Sequence, residues 1–149
     1  MGRILAIDYG QKRVGIAVTD ELQIFATGLQ TVHVKDIFLF LSEYLNREKV
    51  DMFVVGEPKQ LDNTASDAQR FTEPFAKKLI KQFPHIPVER YDERFTSFMA
   101  KQTILEAGLK KKDRQNKELV DTVSATIMLQ SFMQAKTIQR NRKHSDLEK

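Results

Sequence analysis

The chain has 149 residues, 41% hydrophobic and 30% charged, with a formal net charge of +4 and no cysteine. That length builds one domain with a full core but not two lobes, and the lack of cysteine excludes a disulfide framework or a thiolate zinc site. No apolar run approaches bilayer-spanning length, so the expectation is a cytoplasmic protein without membrane attachment.

Arg3 to Ile7 is an apolar run that ends on Asp8, Tyr9 and Gly10. After a few polar residues the chain returns as a second run up to Asp20, which predicts a hairpin with Asp8 at its open mouth. Gln23 to Val34, with Thr27, Thr31, Val32 and Val34, predicts a third strand bulged near Gly28. Asp36 then precedes Ile37 to Leu45, where Ile37, Leu41, Tyr44 and Leu45 share one helical face beneath an Asp36 cap. Asp51 to Gly56 is short and almost wholly apolar, the pattern of a strand covered on both faces in a parallel part of a sheet. Glu57-Pro58 ends it.

Ala68, Phe71, Phe75, Leu79 and Phe83 recur at helical intervals, predicting a helix over 65–83. Pro74 either kinks that helix or stands in the first turn of a restarted one. Pro87 to Glu93 is a more polar strand, suited to a sheet edge. A helix capped by Thr96 or Ser97 ends at Gly108, and a long helix follows from Gln115 to Lys136. This order predicts an α/β fold with a five-stranded mixed sheet, three antiparallel strands followed by parallel crossovers, flanked by helices. Residues 1–135 make up the domain, and residues 136–149 are expected as a basic, flexible tail.

Charge is unevenly distributed. Lys136 to Lys149 holds five Lys/Arg against Asp146 and Glu148, so this stretch supplies +3 of the +4 total and the body is close to neutral. Lys110, Lys111, Lys112 and Arg114 form a second basic cluster between two helical patterns, where a loop can reach a polyanion. Either cluster alone is equally well read as a solvated loop or a frayed end.

The acids carry the chemistry. A carboxylate at the edge of a core needs a partner, and Asp8 either caps its turn through the amides of Gly10 and Gln11 or joins a charged site. Asp121 interrupts an otherwise apolar stretch of the last helix, with the small residues Ser124 and Ala125 on its own face, so that face can approach the sheet closely. Its alternatives are solvent or a pair with Lys117. Asp92 and Glu93 close the fifth strand and point to opposite faces, so only one easily joins Asp8, and Glu93 is favoured. Glu57 ends a neighbouring strand on the same sheet edge and is a further candidate. Converging carboxylates repel unless a cation sits between them. Mg²⁺ or Mn²⁺ is the fitting cation, and such sites cleave phosphodiesters. His33, His85 and His144 lack zinc-ligand spacing, and no nucleophile elbow, Walker A loop or dinucleotide fingerprint is present.

Three motifs occur in order: Ile7-Asp8-Tyr9-Gly10 with Arg13-Val14-Gly15-Ile16-Ala17, then Asp92-Glu93-Arg94-Phe95-Thr96-Ser97, then Val120-Asp121 ahead of Ala125. Together they resemble the YqgF (RuvX) family of Holliday junction resolvase-like proteins, over roughly residues 1 to 135. The resemblance implies a ribonuclease H-like fold and a nuclease trimming the 5′ end of precursor 16S ribosomal RNA. It carries Asp8, Glu93 and Asp121 over as catalytic metal ligands. One departure is Glu57-Pro58, where the family commonly has an apolar residue after the strand-ending glycine; RuvC-type resolvases place a catalytic glutamate near that point, so Glu57 is held as a secondary candidate, as is Asp92 on its place beside Glu93.

The leading expectation is therefore a Mg²⁺- or Mn²⁺-dependent nuclease on structured RNA, with substrate phosphates met by Lys12, Arg13, Arg94, Lys110, Lys111, Lys112 and Arg114. The expected protein is a monomer or weak homodimer. Branched DNA is the alternative substrate; symmetric cutting of a junction needs two related sites, so a strictly monomeric protein counts against it. A non-catalytic RNA-binding or ribosome-assembly module is another. The Asp-x-Gly hairpin also resembles that of actin-like ATPases, but those close two lobes over a nucleotide.

Overall fold

The computed structural model describes residues 2–57, 69–92 and 117–148. Five strands form one sheet: β1 (Arg3–Tyr9), β2 (Arg13–Thr19), β3 (Ala26–His33), β4 (Val50–Glu57) and β5 (Val88–Asp92). Their order is β3-β2-β1-β4-β5, with β1 antiparallel to β2, β2 antiparallel to β3, and β4 parallel to both β1 and β5. This is the mixed sheet that the order of elements predicts. The described helices are α1 (Ile37–Arg47), α2 (Gln69–Gln82) and α3 (Lys117–Glu148).

Strand alternation sends side chains to two separate cores. Leu5, Ile7, Val14, Ile16, Phe53 and Val55 pack with Ile37, Leu41 and Tyr44 of α1 and Phe75 and Leu79 of α2. Ile4, Ala6, Ala17 and Val54 pack instead with Ala125, Met128, Leu129 and Phe132 of α3. β4 contributes to both, as a nearly continuous apolar run must. Each large side chain buried here stabilises the fold by about 1.5–3 kcal/mol relative to exposure.

Several local expectations are refined. The β2–β3 register shifts between Ile16 and Ala17, so that Ile16 faces Gln30 while Ala17 faces Gly28, which is the expected bulge. Asp36 occupies the N-cap of α1 but makes no side-chain cap bond; a 3₁₀ turn over Val34–Asp36 leads into the helix, and His33 Nδ1 accepts the Lys35 N–H instead. α2 runs through Pro74 without a break. α3 continues past its expected end at Lys136 to Glu148, so the backbone of the expected tail is helical. Residues 137–148 contain no glycine or proline, and a helix already nucleated by packing propagates through such a stretch at little cost. The expected helix over 97–108 lies outside the described residues.

The β2–β3 connection is built on Asp20. One carboxylate oxygen accepts the N–H groups of Phe25 at 2.7 Å and Ile24 at 2.8 Å, and the other accepts that of Leu22 at 3.3 Å. Those bonds, Phe25's foremost, hold the Asp20 carboxyl below its ordinary range.

Candidate functional site

One sheet edge gathers the C-terminal ends of β1, β4 and β5 and the start of β2. Asp8 is the next residue after Ala6 on the α3 side of β1, and directly opposite it in the ladder stands Gly15. Gly15 in turn faces Thr31 of β3. The row Asp8–Gly15–Thr31 thus crosses three strands on one face, and α3 lies over it.

Gly15 sets how close α3 comes. A β-carbon there would overlap the Asp121 carbonyl oxygen, so any side chain would push the helix off the sheet. The same imagined atom lies 3.3 Å from the Asp121 β-carbon, and opposed β-carbons in an antiparallel ladder are about 5 Å apart, so the β-carbons of Asp8 and Asp121 lie within roughly 9 Å. One helical step on, Thr122 meets Thr31, hydroxyl to hydroxyl, at 2.7 Å. Thr126 donates its hydroxyl back to the Thr122 carbonyl at 2.8 Å. A β-carbon on Gly28 would press on Thr122 and Thr126, which makes this a second close approach. Glycine and short side chains therefore fix both the height and the rotation of α3, and with them the direction of Asp121.

Asp121 pairs with Arg13 rather than facing solvent alone: Arg13 Nε donates to Asp121 Oδ2 at 2.9 Å. Arg13 shares the β2 face of Gly15, and both partners remain partly open, at 35% and 27% side-chain exposure. Lys12 is exposed at the hairpin tip, and its carbonyl accepts the Val34 N–H at 3.0 Å. The Gly10 N–H, a proposed cap for Asp8, donates instead to the Arg13 carbonyl at 2.9 Å.

On the opposite face, Tyr9 stacks on Phe75 with ring centroids 4.2 Å apart. Burial pushes its hydroxyl above the ordinary tyrosine range, so Tyr9 is neutral at physiological pH and serves as wall, not base. Arg90 reaches Glu73 of α2 at 2.8 Å, whereas Glu89 reaches Lys136 of α3 at 3.0 Å and Tyr91 packs edge-on against Phe132. Asp92 shares the parity of Arg90 and so belongs to the α2 side, away from Asp8. Glu57 ends β4 as the register partner of Asp92; its side chain lies outside the described residues. Glu93, Arg94, Lys110, Lys111, Lys112 and Arg114 also lie outside them. Among the described residues, no group of three or more acidic or histidine side chains is arranged to hold a metal.

The sequence singles out Asp8 and Asp121 but not the close approach of the strand and helix that carry them. The available signal is Gly15, a glycine within an apolar strand, which marks a close backbone approach.

A family model described as RuvX, Holliday junction resolvase, matches residues 2–135. The chain belongs to the RuvX family. It is 54% identical over 136 residues to a protein of Bacteroides thetaiotaomicron, covering 91% of this chain and 99% of that protein, and 55% identical over 136 residues to one of Phocaeicola vulgatus, covering 91% and 98%. Both are provisionally named pre-16S rRNA nucleases. Among solved structures, the fowlpox virus Holliday junction resolvase superposes with a TM-score of 0.55 at 14% identity, over 89% of this chain and 99% of that one. The likeness shows the ribonuclease H-like fold of such resolvases. No described helix of this RuvX member is long and apolar enough to cross a membrane.

Proposed function

We propose that this RuvX-family chain is a metal-dependent nuclease that hydrolyses phosphodiester bonds in structured RNA and processes the 5′ end of precursor 16S ribosomal RNA in the cytoplasm. The observation that carries the reading is the approach of Asp121 to Asp8 over Gly15, which gathers two carboxylates from opposite ends of the chain at one sheet edge. The names carried by relatives that match over nearly their whole length supply the substrate class.

The fit to a hard cation rests on the donor set and its electrostatics. Asp8 and Asp121 offer only carboxylate oxygen, which suits Mg²⁺ or Mn²⁺, and the guanidinium drawn to Asp121 marks a place where positive charge is favoured. Glu93 enters as the third ligand from the sequence pattern: it follows Asp92, and a strand that kept its alternation would return to the side of Glu89 and Tyr91. Glu57 stays a secondary candidate from the sequence pattern alone, since it is the register partner of Asp92 in β4 and shares its strand parity. When bound, a divalent ion supplies Lewis acidity at the scissile phosphate and an activated water.

The remaining work falls to the chain itself. β1 and α3 hold the two acids on rigid elements, so the site is organised before substrate arrives. Lys12 and Arg13 border it from the hairpin and can neutralise flanking phosphates, as can Arg94, Lys110, Lys111, Lys112 and Arg114. A monomer or weak homodimer suffices for single-strand trimming. The test is to incubate the protein with precursor 16S rRNA and with a synthetic four-way junction, in Mg²⁺, Mn²⁺ or chelator. Metal-dependent shortening of the RNA 5′ end supports the reading. Cleavage of the junction alone supports a resolvase, and metal-independent binding without cleavage supports an assembly module.

A further inference from the structure

We propose that Arg13 is a built-in counter-ion for Asp121, which leaves that carboxylate when a divalent cation binds and is thereby freed to contact a substrate phosphate. The proposal rests on the metal-nuclease reading above and adds to Arg13's phosphate contact the part it plays at Asp121 before a cation arrives.

Three observations lead to it. Arg13 Nε lies 2.9 Å from Asp121 Oδ2, so the second acid of the site is engaged by a cation supplied from β2. Both side chains are partly open to solvent, at 35% and 27% exposure, so the pair can separate into water without leaving a buried charge behind. Arg13 also sits beside the exposed Lys12, at the end of the hairpin that borders Asp8, which gives its side chain a short swing between the acid and an incoming polyanion.

Charge decides the direction. With Asp8 and Asp121 on one face, Arg13 brings a single positive charge to Asp121. A divalent ion compensates both, but at carboxylate distance it repels the guanidinium across a few ångströms, so Arg13 and the ion compete for Asp121. The opposite arrangement is one in which Arg13 stays in place and steadies Asp121 as an outer partner of a metal ligand. The two predict opposite signs for one measurement. If Arg13 competes, removing its charge tightens ion binding; if it steadies, removal weakens it.

The experiment titrates Mn²⁺ alone into wild-type protein, Arg13→Gln, Arg13→Lys, Asp121→Asn and Arg13→Gln/Asp121→Asn, counting free Mn²⁺ by electron paramagnetic resonance, with circular dichroism confirming that each is folded. The expected result is about two- to fivefold tighter binding in Arg13→Gln, the size of an exposed ion pair, and near wild-type binding in Arg13→Lys, which keeps a competing charge. The double variant should bind no tighter than Asp121→Asn alone. With RNA, Arg13→Gln should lose about one phosphate contact from the salt dependence of affinity. Unchanged or weaker Mn²⁺ binding in Arg13→Gln overturns the proposal while leaving the nuclease reading intact. Absence of Mn²⁺ binding in wild-type protein overturns both.

Discussion

Asp8 and Gly15 stand directly opposite each other across the β1–β2 ladder, and the room left by the missing side chain of Gly15 is taken by the backbone of Asp121. A glycine in mid-strand is ordinarily a weakness. Here it lets the helix that carries the second acid rest on the strand pair that carries the first.

Gly15→Ala should therefore act on stability and on the site together. The added methyl meets backbone, which cannot rotate away, so overpacking should cost about 1–3 kcal/mol or more. Urea unfolding checks this, and nuclease activity should fall further than the population of folded protein explains. A variant as stable as wild type would mean that α3 lies higher above the sheet.

Asp8→Asn and Asp121→Asn should each lower cleavage of precursor 16S rRNA by at least about 100-fold, more than loss of an outer metal partner costs. Unfolding midpoints should move little, since the Arg13–Asp121 pair is partly open and worth under about 1 kcal/mol. Single-turnover assays beside thermal melts separate the two effects.

Asp92 is the last residue of β5 and Glu93 is the next acid in the sequence. Asp92 falls on the side of Arg90 and Glu73, so Asp92→Asn should keep activity within about tenfold of wild type, whereas Glu93→Gln should match the loss in Asp8→Asn. Equal losses in both variants would undo the assignment of Glu93 over Asp92.

Asp20 gives a pH-dependent prediction. Its carboxyl is held below the ordinary range by the Phe25 and Ile24 amides, so its ionised form is favoured by folding. The stability it adds is fully present above the unfolded-state pKa and is lost as pH falls through the lower folded-state value. Asp20→Ala should melt below wild type at neutral pH, and the gap should close as the medium is acidified beneath the carboxylate range. Differential scanning calorimetry across pH reads this directly.

Phe75 is 4% exposed and stacks under Tyr9. Phe75→Ala should cost about 3–5 kcal/mol and loosen α2, with only an indirect effect on catalysis, because Tyr9 lies on the face opposite Asp121. Urea unfolding gives the first quantity, and kcat measured on the folded fraction gives the second.

The element order was legible because each signal is local. The all-apolar run before Gly56 can be satisfied only by a strand covered on two faces, and the cluster memberships of Phe53, Val54 and Val55 bear this out. The break near Gly28 announced the bulge in β3, where Leu29 is passed over between the pairs Ile16–Gln30 and Ala17–Gly28. Asp36 misled because a good capping residue caps only if the chain enters the helix in the right geometry, and the 3₁₀ turn brings it in otherwise. The end of α3 was misjudged because hydrophobic periodicity fades after Lys136, while the backbone needs only the absence of a breaker to continue.

What the sequence by itself determined is the inventory: the α/β fold class, its five strands in order, the acids at strand and helix positions, and the RuvX motifs. Only the tertiary structure decided who meets whom. That Arg13 takes Asp121 and that Thr31 meets Thr122 both depend on the height and rotation of one helix over one sheet. Those are set by the summed packing of residues far apart in the chain, where no short-range pattern records them.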